Sequence, residues 1–198
     1  MLSRMVTVLF LGIAIGLSGS FETKGRVTEE WPKSSFVVSV KEGPAKLWFS
    51  LPQKSRISVV LEHGRLGKNR QRLTGSNLVE LPDSGAWTVT VAWDSSDCDW
   101  RCQQASGSEL VLKKISGYAD TLFPFRFSLS TEQDLEIWEF SYPKDATFIV
   151  RQSWPGAKAP EEQDLADDPQ LRLIGGGRFD IEVAPVEGGG EFSARLVE

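Results

Sequence analysis

Apolar and polar residues alternate along four clear segments of the chain, at 36–40, 57–61, 87–93 and 179–183. A period of two with one apolar face is typical of half-buried antiparallel strands. No window of eleven or more residues keeps a helical period, and clusters of Gly, Pro, Asn, Asp and Ser separate the alternating segments. Short strands between such turns predict an all-β sandwich.

The alternating pattern recurs along the chain. Residues 46–51 resemble residues 124–129 at an offset of 78, and residues 79–92 resemble residues 171–184 at an offset of 92. A period of this length suits tandem domains better than a solenoid. We therefore expect two tandem small antiparallel β-sandwich domains that meet between Ser116 and Gly117. They span residues 21–116 and 117–198, with Trp87 and Phe179 at equivalent core positions.

The first twenty residues have the layout of a signal peptide. Arg4 precedes an apolar run from Met5 to Leu17, and small residues follow up to Ser20. A retained anchor is the alternative, but thirteen mostly apolar residues fall short of the ~20 that span a bilayer. Residues 1–20 are thus predicted to be a signal peptide, and the mature chain to be periplasmic or secreted.

The two cysteines, Cys98 and Cys102, are separated by three residues. In an oxidising compartment a close pair favours a disulfide. A thioredoxin-like redox role needs Cys-x-x-Cys, which this spacing does not match. Zinc would need a carboxylate in addition to the two thiols and His63, the only histidine. The predicted outcome is a Cys98–Cys102 disulfide.

The sequence contains no motif for catalysis. A Ser-His-Asp or Cys-His arrangement requires a histidine, and His63 precedes a glycine at the end of an expected strand. The many carboxylates occur in turns or on expected solvent faces, with no apolar pocket that would raise a pKa. We predict that the chain is not an enzyme, and a hydrolase with an unrecognised site is the remaining alternative.

The two halves differ in charge. Residues 21–117 have a net charge of +3, and residues 118–198 have a net charge of −9. Two loops that we expect to be equivalent in the two domains have opposite charges. Either both loops are solvated, or they meet within or between chains, or the basic loop recruits an anionic envelope polymer. Nucleic acid does not suit an exported acidic chain. The basic set is Arg65, Lys68, Arg70 and Arg72, and the acidic set is Glu161, Glu162, Asp164, Asp167 and Asp168.

Two further groups of residues are candidates for binding. Exposed aromatic rings can stack on sugar faces, and burial at the ends of a small core is the alternative. Three carboxylates close to the cysteines could supply calcium with oxygen ligands, although aspartates also favour turns. The aromatic candidates are Trp93, Trp100 and Trp154, and the calcium candidates are Asp94, Asp97 and Asp99.

The second half carries a series of short motifs in a characteristic order. Residues 125–129 read FRFSL, residues 145–150 read DATFIV, and residues 177–183 read GRFDIEV. In this order they resemble the bacterial pre-peptidase C-terminal domain, a secreted β-sandwich attached to exported enzymes. The resemblance implies a non-catalytic role in substrate binding or secretion. Thr147 stands where the family motif has a second Asp, which removes support for calcium at that motif.

These observations predict an exported, non-catalytic binding or protein-interaction protein of the bacterial envelope or exterior. A carbohydrate-binding module is the alternative. The expected partner is a protein or an anionic or glycan envelope ligand, and no cofactor other than calcium is considered.

Overall fold

The computed structural model describes residues 21–197, which form sixteen β-strands and no helix. The predicted signal peptide lies outside these residues. The described residues contain no helical segment that could cross a membrane. The strands are β1 Phe21–Val27, β2 Lys33–Val40, β3 Ala45–Ser50, β4 Arg56–His63, β5 Gly67–Thr74, β6 Asn77–Leu81, β7 Gly85–Trp93, β8 Cys98–Gly107, β9 Leu110–Asp120, β10 Phe125–Thr131, β11 Leu135–Ser141, β12 Phe148–Ser153, β13 Glu161–Asp164, β14 Gln170–Ile174, β15 Gly177–Pro185 and β16 Gly189–Leu196.

The strands form two antiparallel sheets of eight strands each. Sheet A has the order β13-β12-β15-β10-β1-β8-β3-β6, and sheet B has the order β14-β11-β16-β9-β2-β7-β4-β5. The inward side chains of both sheets make one apolar core, because the alternation of the strands turns every second side chain inward. The prediction of an all-β antiparallel sandwich is confirmed.

The strand order repeats. In β1 to β8, strands 1-8-3-6 lie in sheet A and strands 2-7-4-5 lie in sheet B. In β9 to β16, the strands of the same rank follow the same two orders with the sheets exchanged. Each run of eight strands thus has the order of a jelly roll. We call β1 to β8 the first run and β9 to β16 the second run.

Of the two sequence matches, only the 92-residue offset joins strands of the same rank. It relates β6 and β7 to β14 and β15, and it places Trp87 and Phe179 in the seventh strand of each run. Trp87 pairs with Val38 of β2, and Phe179 pairs with Leu129 of β10. The 78-residue offset instead relates the third strand of one run to the second strand of the other, so it does not describe this order.

The two runs contribute strands to the same two sheets. β1 pairs with β10 in sheet A, and β2 pairs with β9 in sheet B. The predicted boundary at Ser116 and Gly117 lies inside β9, whereas the strand order divides after β8. The division into two domains therefore stays a prediction.

Two glycines permit the close packing at this junction. A Cβ on Gly25 would lie 2.8 Å from the Phe125 ring, and a Cβ on Gly117 would lie 2.6 Å from the same ring. The ring of Phe125 also makes edge contacts with Trp100 of the first run and Phe192 of the second run. Phe125 thereby joins the cores of the two runs.

Candidate functional site

A row of charged side chains crosses the middle of sheet A on its outer face. Arg126 of β10 lies directly opposite Lys24 of β1, and Lys24 lies opposite Arg101 of β8. Neighbouring strands are about 4.8 Å apart, so the three cations lie side by side. Residues from both runs meet here, because β1 and β10 form the junction of sheet A.

Two partly buried carboxylates hold these cations in place. Glu22 accepts hydrogen bonds from Lys24 Nζ at 2.9 Å and Arg101 Nη2 at 2.5 Å. Glu182 accepts from Arg126 Nη2 at 2.7 Å and Arg151 Nη1 at 2.9 Å. Charged donors on both oxygens of a carboxylate fix its orientation, and they fix the guanidinium groups as well.

The electrostatics follow from these contacts. Burial acts to raise the pKa of Glu22, but the hydrogen bonds from Lys24 and Arg101 outweigh it, and the pKa lies below its ordinary value. Burial also acts to raise the pKa of Glu182. The hydrogen bonds from Arg126 and Arg151 outweigh this effect, and the pKa lies below its ordinary value. Both carboxylates are therefore charged at neutral pH.

Two neighbouring cavities lie over this row. One of about 370 Å³ is polar, and five cations and three carboxylates line it. The other, of about 440 Å³, is largely apolar, with Trp100, Phe123 and Phe125 in its wall. Lys24, Arg101 and Arg126 line both cavities. We call the two cavities together the junction groove.

The apolar part of the junction groove continues toward the loops at 28–32 and 121–124. The guanidinium of Arg26 lies 4.2 Å above the Phe123 ring, a cation–π contact. Beyond it, Trp31 and Tyr118 stack with ring centroids 3.8 Å apart in the wall of a further cavity of about 460 Å³. Phe123 is 43 % exposed, so its ring is accessible to a ligand.

This arrangement suits binding of an anionic molecule that also has an apolar face. The polar cavity has two more cations than carboxylates, because Arg126, Arg151 and Arg178 join Lys24 and Arg101 against Glu22, Asp180 and Glu182. Guanidinium groups bind carboxylate or phosphate groups in a planar, two-bond geometry. Among residues 21–197, no group of three or more His, Cys, Asp or Glu could hold a metal ion.

The predicted basic residues lie far from this groove, around β5 at the free edge of sheet B. Arg65 pairs with Asp83 at 2.7 Å, and Lys68 pairs with Glu62 at 3.6 Å. Arg72 pairs with Asp94 at 3.0 Å, and Arg70 donates to the Ser58 hydroxyl.

The predicted acidic residues lie at the opposite end of the sandwich, in β13 and the residues that follow it. The expectation that Glu161 to Asp168 form a loop is wrong for Glu161–Asp164, which pair with β12 as an edge strand. The basic and acidic sets do not meet within one chain, because β5 and β13 are edge strands at opposite ends of their sheets.

The predicted aromatic residues are not brought together. Trp100 is only 2 % exposed and belongs to the core, so the expectation that its ring is exposed is wrong. Trp93 is half-buried and packs against the core of the first run. Trp154 is 37 % exposed and lies near Phe179 in the second run.

The predicted disulfide is contradicted by the structure. Cys98 and Cys102 are free, buried thiols on the same strand, β8. Four successive steps of extended strand, at about 3.3 Å each, place their Cα atoms about 13 Å apart, whereas a disulfide needs less than about 7 Å. Burial raises the pKa of the Cys98 thiol and raises that of the Cys102 thiol well above its ordinary value, which favours the protonated thiol over the thiolate.

The predicted calcium ligands Asp94, Asp97 and Asp99 all form ion pairs with arginines. Asp94 pairs with Arg72 of β5. Asp97 and Asp99 both pair with Arg26, at 3.6 and 3.5 Å. Because each carboxylate is directed to an arginine, the three do not form a set of oxygen ligands for one cation.

His63 is a buried residue of the first run. Its ring is 6 % exposed and stacks on Trp87 with centroids 4.6 Å apart. Its Nε2 lies 3.1 Å from the carbonyl oxygen of Ser84, and its Nδ1 has no hydrogen-bond partner among residues 21–197. Gly85 leaves space for the His63 ring, since a Cβ at this position would lie 3.1 Å from Nε2.

The residues of the junction groove were missed from the sequence. Lys24, Arg101 and Arg126 each alternate with inward residues in their strands, as in Phe125-Arg126-Phe127. That pattern is typical of any solvent face. The informative signal is the pairing of β1 with β10 and with β8, which brings Lys24 beside Arg126 and Arg101. These residues are far apart along the chain, so the pattern within each strand does not reveal that they are neighbours.

The fold and the groove define a class, an antiparallel all-β sandwich protein with a cationic surface cleft. No family model and no curated protein matches the chain. Among solved structures, it is similar to a variant of oxalate decarboxylase from B. subtilis, with 7 % identity over 90 % of this chain and 69 % of that chain and a TM-score of 0.33. Oxalate decarboxylase from Lactobacillus farciminis, in a formate complex, gives 7 % identity, coverage of 90 % and 77 %, and a TM-score of 0.30. Similarity this low establishes neither family nor activity.

Proposed function

We propose that this chain is a non-catalytic binding protein of the bacterial envelope or exterior, and that the junction groove binds an anionic glycan. The observation that carries the proposal is the row of Arg126, Lys24 and Arg101 beside an apolar cavity. Carboxylate or phosphate groups of the glycan pair with the guanidinium groups, and a sugar ring packs on the exposed face of Phe123.

The location of the protein rests on the signal-peptide pattern of residues 1–20, since the two free thiols remove the second argument for export. The resemblance to the pre-peptidase C-terminal domain agrees with a binding role for an exported β-sandwich. A neutral carbohydrate is the second candidate ligand, because Phe123 and the stacked Trp31 and Tyr118 offer aromatic surface without charge.

The test compares two variants that lose the same charge at different places. Arg126→Gln with Arg178→Gln removes two cations from the polar cavity and leaves Glu22 paired. Lys68→Gln with Arg70→Gln removes two cations from β5. Binding of polygalacturonate oligomers and of their neutral methyl esters is measured by calorimetry.

The groove variant should bind the acidic oligomers at least about tenfold more weakly, which corresponds to about 1.4 kcal/mol. The β5 variant should change the affinity by no more than about twofold, since exposed charges act weakly at a distance. Equal weakening in both variants would overturn the groove as the site. Equal affinity for the acidic and the methylated oligomers, reduced by Phe123→Ala, would favour the neutral carbohydrate.

A further inference from the structure

Within residues 21–197, the sandwich has two ends at which the edge strands pair on one side only. At one end, β6 is the last strand of sheet A and β5 is the last strand of sheet B. At the other end, the last strands are β13 in sheet A and β14 in sheet B. We call these the first-run end and the second-run end. An unpaired edge strand presents free backbone N–H and C=O groups to another chain.

The outward side chains of β6 and β14 are complementary. β6 exposes Leu78, with 54 % of its surface accessible, and Glu80. β14 exposes Ile174, with 75 % accessible, and Arg172. An antiparallel alignment that sets Leu78 opposite Ile174 also sets Glu80 opposite Arg172. One register thus pairs apolar with apolar and acidic with basic side chains.

We propose that copies of this chain associate head to tail, with β6 of one copy pairing with β14 of the next. The partner is a second copy because the complementary strands lie at the two opposite ends of the same molecule. The second copy is rotated by 180° about an axis that runs across the strands, along the strand order of both sheets. This rotation exchanges the sides on which its sheets A and B lie, and it reverses the direction of its strands. β6 and β14 are then edges of one continuous antiparallel sheet.

The same placement brings β5 against β13. The antiparallel register that sets Arg70 opposite Asp164 also sets Arg72 opposite Glu162. Arg70 donates to the Ser58 hydroxyl and forms no ion pair within residues 21–197. The carboxylate of Asp164 accepts only from the nearby Ala166 amide there. These two charges are available to each other, whereas Arg72 and Glu162 already have the local partners Asp94 and Arg151.

The contact is heterologous, since two different surfaces of each copy meet. A heterologous contact leaves one free surface at each end of the assembly and therefore continues to grow unless the rotation closes a ring. A half-turn per copy does not close, so the assembly is an open row of sandwiches whose sheets run on from copy to copy.

The test uses two variants with unchanged net charge. The first carries Arg70→Glu with Glu80→Arg, and the second carries Asp164→Arg with Arg172→Glu. Each variant alone opposes like charges at the contact, whereas an equimolar mixture matches opposite charges at every contact. Sedimentation velocity is measured across about a hundredfold range of concentration, with circular dichroism to verify folding.

The native chain should show a mean mass that rises with concentration, and each folded variant alone should remain a monomer. The equimolar mixture should associate like the native chain. The association of the native chain should also weaken between 0.01 and 0.15 M salt, where the Debye length falls from about 30 to about 8 Å. A native chain that is monomeric throughout, or a mixture that does not associate, would overturn the proposal.

Discussion

The two sheets have the same strand order at the junction but present different side chains to solvent. Across sheet A the outward row is Glu182, Arg126, Lys24 and Arg101. The row at the equivalent positions of sheet B is Thr90, Ser35, Ser116 and Ser193. Every charged residue of one row corresponds to a hydroxyl residue of the other.

The difference shows that the strand order does not require charge at these positions. The hydroxyl row is held by short hydrogen bonds, such as the 2.8 Å contact between Ser35 and Ser116. A charged row costs desolvation, as the opposing effect of burial at Glu22 and Glu182 indicates. The hydrogen bonds to both carboxylates outweigh this cost, so the charged row is a feature of one face alone, and it agrees with the proposed binding role of the junction groove.

The largest expected effect tests whether the two runs correspond in their cores. Trp87→Ala and Phe179→Ala, at equivalent places in the seventh strands, should each lower the free energy of unfolding by about 3–5 kcal/mol. Trp48→Ala, at a half-buried position, is the control and should cost less. Urea unfolding measures all three variants. A cost for Trp87 or Phe179 no larger than that for Trp48 would break the correspondence.

The next effect concerns the charged row and pH. The pKa values of Glu22 and Glu182 are lowered in the folded state, so the unfolded chain binds protons first as pH falls. Their stabilisation is present above the unfolded pKa of about 4.5 and is lost as pH falls through the folded pKa values. The native chain should therefore lose stability below about pH 5.

Substituting both carboxylates should reduce this loss. Glu22→Gln with Glu182→Gln should make the fall in unfolding free energy shallower by about 1.5–3 kcal/mol, the range for hydrogen bonds to charged groups. Urea unfolding at several pH values between about 3 and 6 provides the measurement. Identical slopes for this variant and the native chain would show that the charged row contributes nothing to acid stability.

The smallest effect concerns the hydroxyl row. Ser116→Ala removes the hydrogen bond to Ser35 and should lower the free energy of unfolding by about 0.5–1.5 kcal/mol. Ser193→Ala is the matched control in the same row and should change it by less than about 0.5 kcal/mol. Binding of acidic oligomers should be unchanged in both. Weaker binding after either substitution would mean that the two faces do not differ in function.

The strands were predictable because burial leaves a period-two pattern. Phe36, Val38 and Val40 alternate with half-buried residues in β2, and Trp87, Val89 and Val91 do so in β7. The 92-residue offset was visible for the same reason, since it relates two such strands. β13 was missed because it is a short, acidic edge strand. None of its four residues is apolar, so it shows no alternation of apolar and polar positions.

The site was not predictable by the same reasoning. Its cations occupy ordinary outward positions, and their grouping depends on which strands are neighbours. The predicted disulfide was wrong because a short spacing in sequence does not imply a short distance when the segment is an extended strand. Cys98 and Cys102 are close in sequence, but a strand holds them apart on the same face of β8.

The pairing of β1 with β10 and of β2 with β9 has a consequence for symmetry. If two identical chains paired through their first and second strands, each outer face would carry the same residues, and a substitution on one face would change both. Here a single polypeptide supplies both runs, so positions 24 and 116 are separate codons. One face can acquire a cationic cleft while the other keeps its serines.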